Sequence, residues 1–107
     1  MRFEIVLSPG AVKGLAELRP DVRSGVRDAI ELHLRHEPTK VSKSRIKRLR
    51  GLDQPQYRLR VGEIRVFYDV AKKTVEVLAV ISKQEAEGWL AKEATPTPEG
   101  SSREGQG

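Results

Sequence analysis

Residues 57–68 read Tyr57-Arg58-Leu59-Arg60-Val61-Gly62-Glu63-Ile64-Arg65-Val66-Phe67-Tyr68. Two alternating runs flank Gly62-Glu63. Period-two alternation is the signature of a half-buried strand. A two-residue link with glycine in first place suits a type II′ hairpin turn. The turn sets the register: Val61 opposite Ile64, Arg60 opposite Arg65, Leu59 opposite Val66, Arg58 opposite Phe67 and Tyr57 opposite Tyr68. Successive side chains point to opposite faces. Tyr57, Leu59, Val61, Ile64, Val66 and Tyr68 therefore share the expected core face. Arg58, Arg60, Arg65 and Phe67 share the other, where the three arginines are expected to lie exposed on one surface. Like charges directly opposite each other repel. A phosphate or carboxylate bridging them would relieve the repulsion, because guanidinium forks bind both groups bidentately.

Working outward, the returning strand runs to Val70, Lys72-Lys73 interrupts the apolar pattern, and Thr74 to Ser82 forms a further Val- and Ile-rich strand. Glu85 to Ala94 reads as a short helix carrying Trp89 and Leu90. From Thr95 the chain is Pro, Gly, Ser, Thr and charge, a composition expected to be disordered. Upstream, residues 37–55 are polar and irregular. Before them, Val22, Val26, Ile30 and Leu34 recur at helical spacing, stopped by Pro38. Ala11, Leu15 and Leu18 mark an earlier helix, with Ser8 as its cap and Pro9 at its first position, where no N–H is needed. Phe3, Ile5 and Leu7 alternate as a first strand over residues 2–7. The expected fold is α+β in the order β-α-α-β-β-β-α: an antiparallel meander with two N-terminal helices on one face and a short C-terminal helix. A single domain over residues 1–94 and a polar tail over 95–107 are expected.

Charge is concentrated in one segment. Residues 40–60 hold eight basic side chains, Lys40, Lys43, Arg45, Lys47, Arg48, Arg50, Arg58 and Arg60, against Asp53 alone, a net of +7. The whole chain carries only +5, so the remainder is slightly acidic. Such a segment favours a polyanion: nucleic acid, an acidic membrane surface or an acidic protein; by itself it equally describes a solvated face. There is no cysteine, which excludes disulfides and thiolate metal sites. His33 and His36 are the only histidines and read as surface groups at a helix C-terminus, so neither a metal nor a cofactor is expected. No apolar run approaches the roughly 20 residues of a membrane span. Met1–Leu7 is too short and too charged for a signal peptide, which makes the cytoplasm the expected location.

The run Lys47-Arg48-Leu49-Arg50-Gly51-Leu52, followed by Tyr57-Arg58-Leu59-Arg60, Ile64-Arg65-Val66-Phe67-Tyr68 and Val75-Glu76-Val77-Leu78-Ala79-Val80-Ile81, resembles the RelE/ParE toxins of bacterial type II toxin–antitoxin systems. The resemblance spans roughly residues 2–92. It implies a toxin neutralised by a cognate acidic antitoxin. RelE-type members enter the ribosomal A site and cut mRNA, arresting translation: a 2′-hydroxyl attacks the adjacent phosphate and leaves a cyclic phosphate. That chemistry needs a base for the hydroxyl, cations for the phosphorane charge and help for the leaving oxygen. By the resemblance, the catalytic set is Arg58, Arg60, Arg65 and Lys83 (or Gln84), with Arg60 and Arg65 on the phosphate. Lys43, Arg45, Lys47, Arg48 and Arg50 would bind RNA.

Two features depart from the family. Arginine, with a free pKa of about 12.5–13.8, is a poor general base where the family often has lysine. Trp89 or Leu90 falls near a frequent terminal tyrosine, and an indole cannot supply a phenolic proton. Two other readings therefore stand: a ParE-like non-enzymatic inhibitor of DNA gyrase, and a degenerate toxin that retains only antitoxin binding. Trp89 otherwise reads as a core anchor for the last helix, Tyr57 and Tyr68 as packing residues, and Glu85, Glu87 and Glu93 as a solvated helix face.

Overall fold

The expected hairpin forms with the expected register. In the computed structural model, which describes residues 1–98, β4 (Tyr57–Val61) and β5 (Ile64–Ala71) are antiparallel, with Arg60 opposite Arg65 and Arg58 opposite Phe67. Gly62 sits at φ 58 and Glu63 does not share the positive φ. That separates this turn from the I′ type, which needs positive φ at both central residues. β6 (Thr74–Ser82) completes the meander, its ladder with β5 shifted by an irregularity at Phe67/Tyr68.

Two further strands extend this meander. β1 (Glu4–Leu7) lies parallel to β6, and β2 (Ile46–Arg48) is antiparallel to β4, giving a mixed sheet in the order β1-β6-β5-β4-β2. β2 falls in the stretch expected to be irregular; three residues are too few to show a period. β3 (Leu52–Gln54) pairs with β7 (Thr95–Pro96) in a separate two-stranded ribbon, and the Thr97 N–H donates to the Gly51 carbonyl at 3.1 Å. The tail expected to begin at Thr95 thus meets a short strand there; residues 99–107 lie outside the described residues.

α1 (Pro9–Ala16) and α2 (Pro20–Leu34) cover one face of the sheet. Ser8 caps α1, its hydroxyl accepting the Ala11 N–H at 3.1 Å and donating to the Leu78 carbonyl at 2.9 Å. One hydroxyl thus both starts the helix and fixes it to β6. Ala11, Leu15, Val26, Ile30 and Leu34 pack on Leu59, Val66, Tyr68, Val75, Val77 and Val80, which are all buried. Burial at about 25 cal/mol per Å² of apolar surface makes this layer the main source of stability.

Tyr68 fits its packing assignment and adds a polar anchor. It is fully buried, stacks on Tyr57 at 5.5 Å, and donates its hydroxyl to the Pro38 carbonyl at 2.6 Å. Burial, and secondarily Tyr57, pushes its phenol far above the ordinary tyrosine range, so it stays protonated as a donor. Tyr68→Phe is expected to cost about 1–2 kcal/mol, because it strands a buried carbonyl. Chemical denaturation should show this as a lower midpoint with an unchanged slope; an unchanged midpoint would mean water replaces the hydroxyl.

Candidate functional site

The face of the sheet opposite α1 and α2 carries the arginines. Lys47 is the register partner of Arg58 across β2–β4, and Arg60 is that of Arg65 across β4–β5. Register partners project to the same side, so four cations gather on one surface. None of the ion pairs among the described residues, Arg19–Asp21, Arg35–Glu31 and Lys40–Glu37, involves them.

The three arginines differ in environment. Arg60 is exposed. Arg58 is half-buried, and its Nε is a buried donor with no partner. Desolvation first, then the charges of Arg65 and Arg60, lower its pKa from the usual guanidinium value. Arg65, expected to be exposed, is only 7% accessible. Its Nη1 donates to the Gly62 carbonyl at 2.9 Å and to the Ile64 carbonyl at 3.1 Å. The guanidinium folds back on the hairpin turn, so its removal would disturb the turn as well as the charge. Alternation alone could not reveal this, because it reports the face a side chain leaves from and not what later covers it.

α3 (Lys83–Glu93) packs on β5 and β6. Ser82 and Glu85 form a capping box at its start, and the Lys83 N–H donates to the Glu63 carbonyl at 2.7 Å. Trp89 stacks on Phe67 with ring centroids 5.1 Å apart and planes at 11°. Phe67 is the register partner of Arg58, so Trp89 lies over the arginine face. Expected as a core anchor, Trp89 is half-buried and holds the helix down from outside the main core. The sequence of α3 shows no strong apolar stripe and buries no residue fully, which is why its docking face could not be read in advance.

The other candidate residues are dispersed. Lys83 is exposed at the first position of α3, two residues beyond Ile81, the register partner of Arg65. Arg48 turns to the opposite face, where its guanidinium lies 5.3 Å from the Tyr57 ring centroid and its Nη1 donates to the Leu49 and Gln56 carbonyls. Arg45 lines a pocket of about 240 Å³ with His33, Lys40 and Ser42 at the end of α2. Burial, and secondarily Arg45, lowers the His33 pKa, favouring the neutral ring. Lys43 and Arg50 are exposed in the loops flanking β2. Of the expected RNA-binding set, Lys47 is a register partner of Arg58, and the Arg45 carbonyl accepts the Arg60 N–H at 2.8 Å. Among the described residues, no group of three or more His, Cys, Asp or Glu is placed to hold a metal. No helix among them is long and apolar enough to cross a membrane.

No protein-family model matches the sequence, and no curated protein matches it. Solved structures do. The toxin–antitoxin complex RelBE2 from Mycobacterium tuberculosis matches at a TM-score of 0.62 and 24% identity, over 77% of this chain and 99% of the other. The RelB–RelE antitoxin–toxin complex from Methanococcus jannaschii matches at 0.61 and 20% identity, over 78% and 96%. The archaeal RelE–RelB complex from Pyrococcus horikoshii matches at 0.59 and 26% identity, over 78% and 97%. Each match takes in almost the whole of the other chain, so the shared unit is complete and not a common fragment. The fold of this chain is thus similar to that of the RelE toxins in these antitoxin complexes.

Proposed function

We propose that the chain is a toxin that cleaves mRNA on the ribosome without a metal, and that an acidic antitoxin neutralises it in the cytoplasm. The observation that supports this most is the arginine face: Lys47, Arg58, Arg60 and Arg65 adjoin one another with no carboxylate among the described residues paired to any of them. Uncompensated cations on neighbouring strands cost free energy unless an anion joins them. A phosphodiester supplies that anion. In the cleavage, the 2′-oxygen bonds to the adjacent phosphorus and the bond to the 5′-oxygen breaks, leaving a 2′,3′-cyclic phosphate and a 5′-hydroxyl. Arg60 and Arg58 would take the phosphorane oxygens, and Arg65 would act from behind as a fixed positive charge. Lys47 would guide the strand. Lys83, the one lysine of the catalytic set, would donate a proton to the leaving 5′-oxygen, and water would take the 2′-hydroxyl proton. The relatives' complexes with RelB support an antitoxin as partner, and the +7 segment suits an acidic one.

A second reading rests on α3. Because the helix lies over the arginine face, the chain could act instead as a non-enzymatic inhibitor of a protein target such as DNA gyrase. Purified chain incubated with programmed ribosomes separates the two. Cleavage products with 5′-hydroxyl and 2′,3′-cyclic phosphate ends are expected. Intact mRNA alongside inhibited gyrase supercoiling would favour the second reading, and intact mRNA with neither effect would leave antitoxin binding alone.

A further inference from the structure

We propose that the pocket between the end of α2 and β2 is a phosphate subsite, in which Lys40, Ser42, Arg45 and a protonated His33 hold one phosphate group. The phosphate chemistry stands by itself; assigning it to an RNA strand rests on the nuclease reading. The walls of the pocket are anchored before a ligand arrives. Ile46 is buried and pairs with Leu59 on β4. The Ser42 N–H donates to the Ile46 carbonyl at 3.0 Å, and the Ser42 hydroxyl accepts the N–H groups of Arg45 at 3.0 Å and Ile46 at 3.1 Å. A hydroxyl has two lone pairs and one hydrogen. With both lone pairs taken, Ser42 can only donate towards the pocket. Upstream, the Tyr68 hydroxyl fixes the chain at the Pro38 carbonyl. Walls ordered in advance spare a ligand the entropy of assembling them.

The charge in the pocket is positive and adjustable. Among the described residues Arg45 has no carboxylate partner, whereas Lys40 pairs loosely with Glu37 at 3.8 Å, both side chains being largely exposed. Lys40 and Arg45 against Glu37 leave one net positive charge, and a protonated His33 makes it two. These three are the charged groups that line the pocket with His33; His36, on the same helix end, meets the Met1 carbonyl at 3.2 Å instead. Burial first, then Arg45, disfavours charge on His33. An anion between His33 and Arg45 reverses that sign, because it stabilises both cations. Affinity therefore rises as pH falls through the bound-state pKa of His33 and levels off below its free-state pKa. The Arg60 N–H donates to the Arg45 carbonyl at 2.8 Å, which places the pocket next to the arginine face along β4.

With His33 and His36 the only histidines, the ring C–H signals in an NMR titration report the site directly. The full chain is titrated between about pH 5 and pH 8, the range in which imidazole changes charge. Inorganic phosphate is added in one series and a 2′-O-methylated uridine dinucleotide in another. The blocked 2′-oxygen of the dinucleotide prevents cleavage, and its phosphodiester keeps the same charge throughout. Ligand is expected to raise the His33 pKa by about one unit and to leave His36 in place; by linkage that is about tenfold tighter binding with His33 charged. Arg45→Gln, at an exposed residue, should raise the His33 pKa of the free protein and yet cut the rise on binding, because it removes a repulsion and a donor together. A His33 pKa that neither ligand moves, or a rise that Arg45→Gln leaves intact, would overturn the subsite. A rise with inorganic phosphate alone would keep the phosphate site and remove an RNA strand as its occupant. If the dinucleotide raises the pKa while programmed ribosomes leave mRNA intact, the subsite stands and the nuclease proposal falls.

Discussion

Arg58→Met is expected to lower ribosome-dependent cleavage by about 10²–10³-fold, the usual cost of removing one preorganised donor at a developing charge, while making the protein more stable. The two effects share one cause. Arg58 is half-buried, its Nε lacks a partner, and desolvation first, then repulsion from Arg65 and Arg60, lowers its pKa. A buried unsatisfied donor costs about 1–3 kcal/mol, so methionine, which keeps the apolar stem, should regain about 1 kcal/mol. In a domain of this size that raises the melting midpoint by roughly 4–8 °C. Thermal melting and primer-extension cleavage assays on one preparation check both effects. A variant that loses activity and stability together would mean that Arg58 is satisfied in solution and serves the fold. A stabilised variant with full activity would remove Arg58 from the proposed chemistry.

Gly14→Ala is expected to give the largest loss of stability of any methyl-sized change in α1. A Cβ at this position would stand 2.3 Å from the Val80 carbonyl oxygen and 3.2 Å from its carbonyl carbon. Both belong to the backbone of β6, so no side-chain rotation relieves the clash and the helix must move off the strand. Overpacking a tight contact typically costs about 1–3 kcal/mol, and a clash with backbone alone belongs at the upper end. Alanine's better helix propensity, worth about 1 kcal/mol over glycine, offsets only part of it. Gly25→Ala in α2 is the control: its Cβ would meet nothing within 4 Å, and the same propensity should make that change neutral or stabilising. Urea unfolding of the two variants should move in opposite directions. If both moved alike, the close approach of α1 to β6 would not exist in solution.

The hairpin register was legible because local chemistry decides it. A glycine at the first turn position and strict alternation on both sides leave one pairing, and a slip of one residue would place arginines in the core. The Ser8 cap and Pro9 start of α1, the apolar stripe of α2 and the basic segment were likewise written in residues close together in the chain. The sequence therefore determined which face would hold Arg58, Arg60 and Arg65. Tertiary structure alone decided what became of them. Arg65 is buried, its guanidinium turning back to the Gly62 and Ile64 carbonyls, while Trp89 of α3 stacks on Phe67, which shares its face. Arg48 left the cluster because alternation in a three-residue strand carries too little signal to be read. The β3–β7 ribbon joins segments some 40 residues apart in the chain with two register pairs, a pairing with no local pattern to announce it. Local propensity and periodicity fix which way a side chain leaves its own strand; what covers it depends on long-range packing.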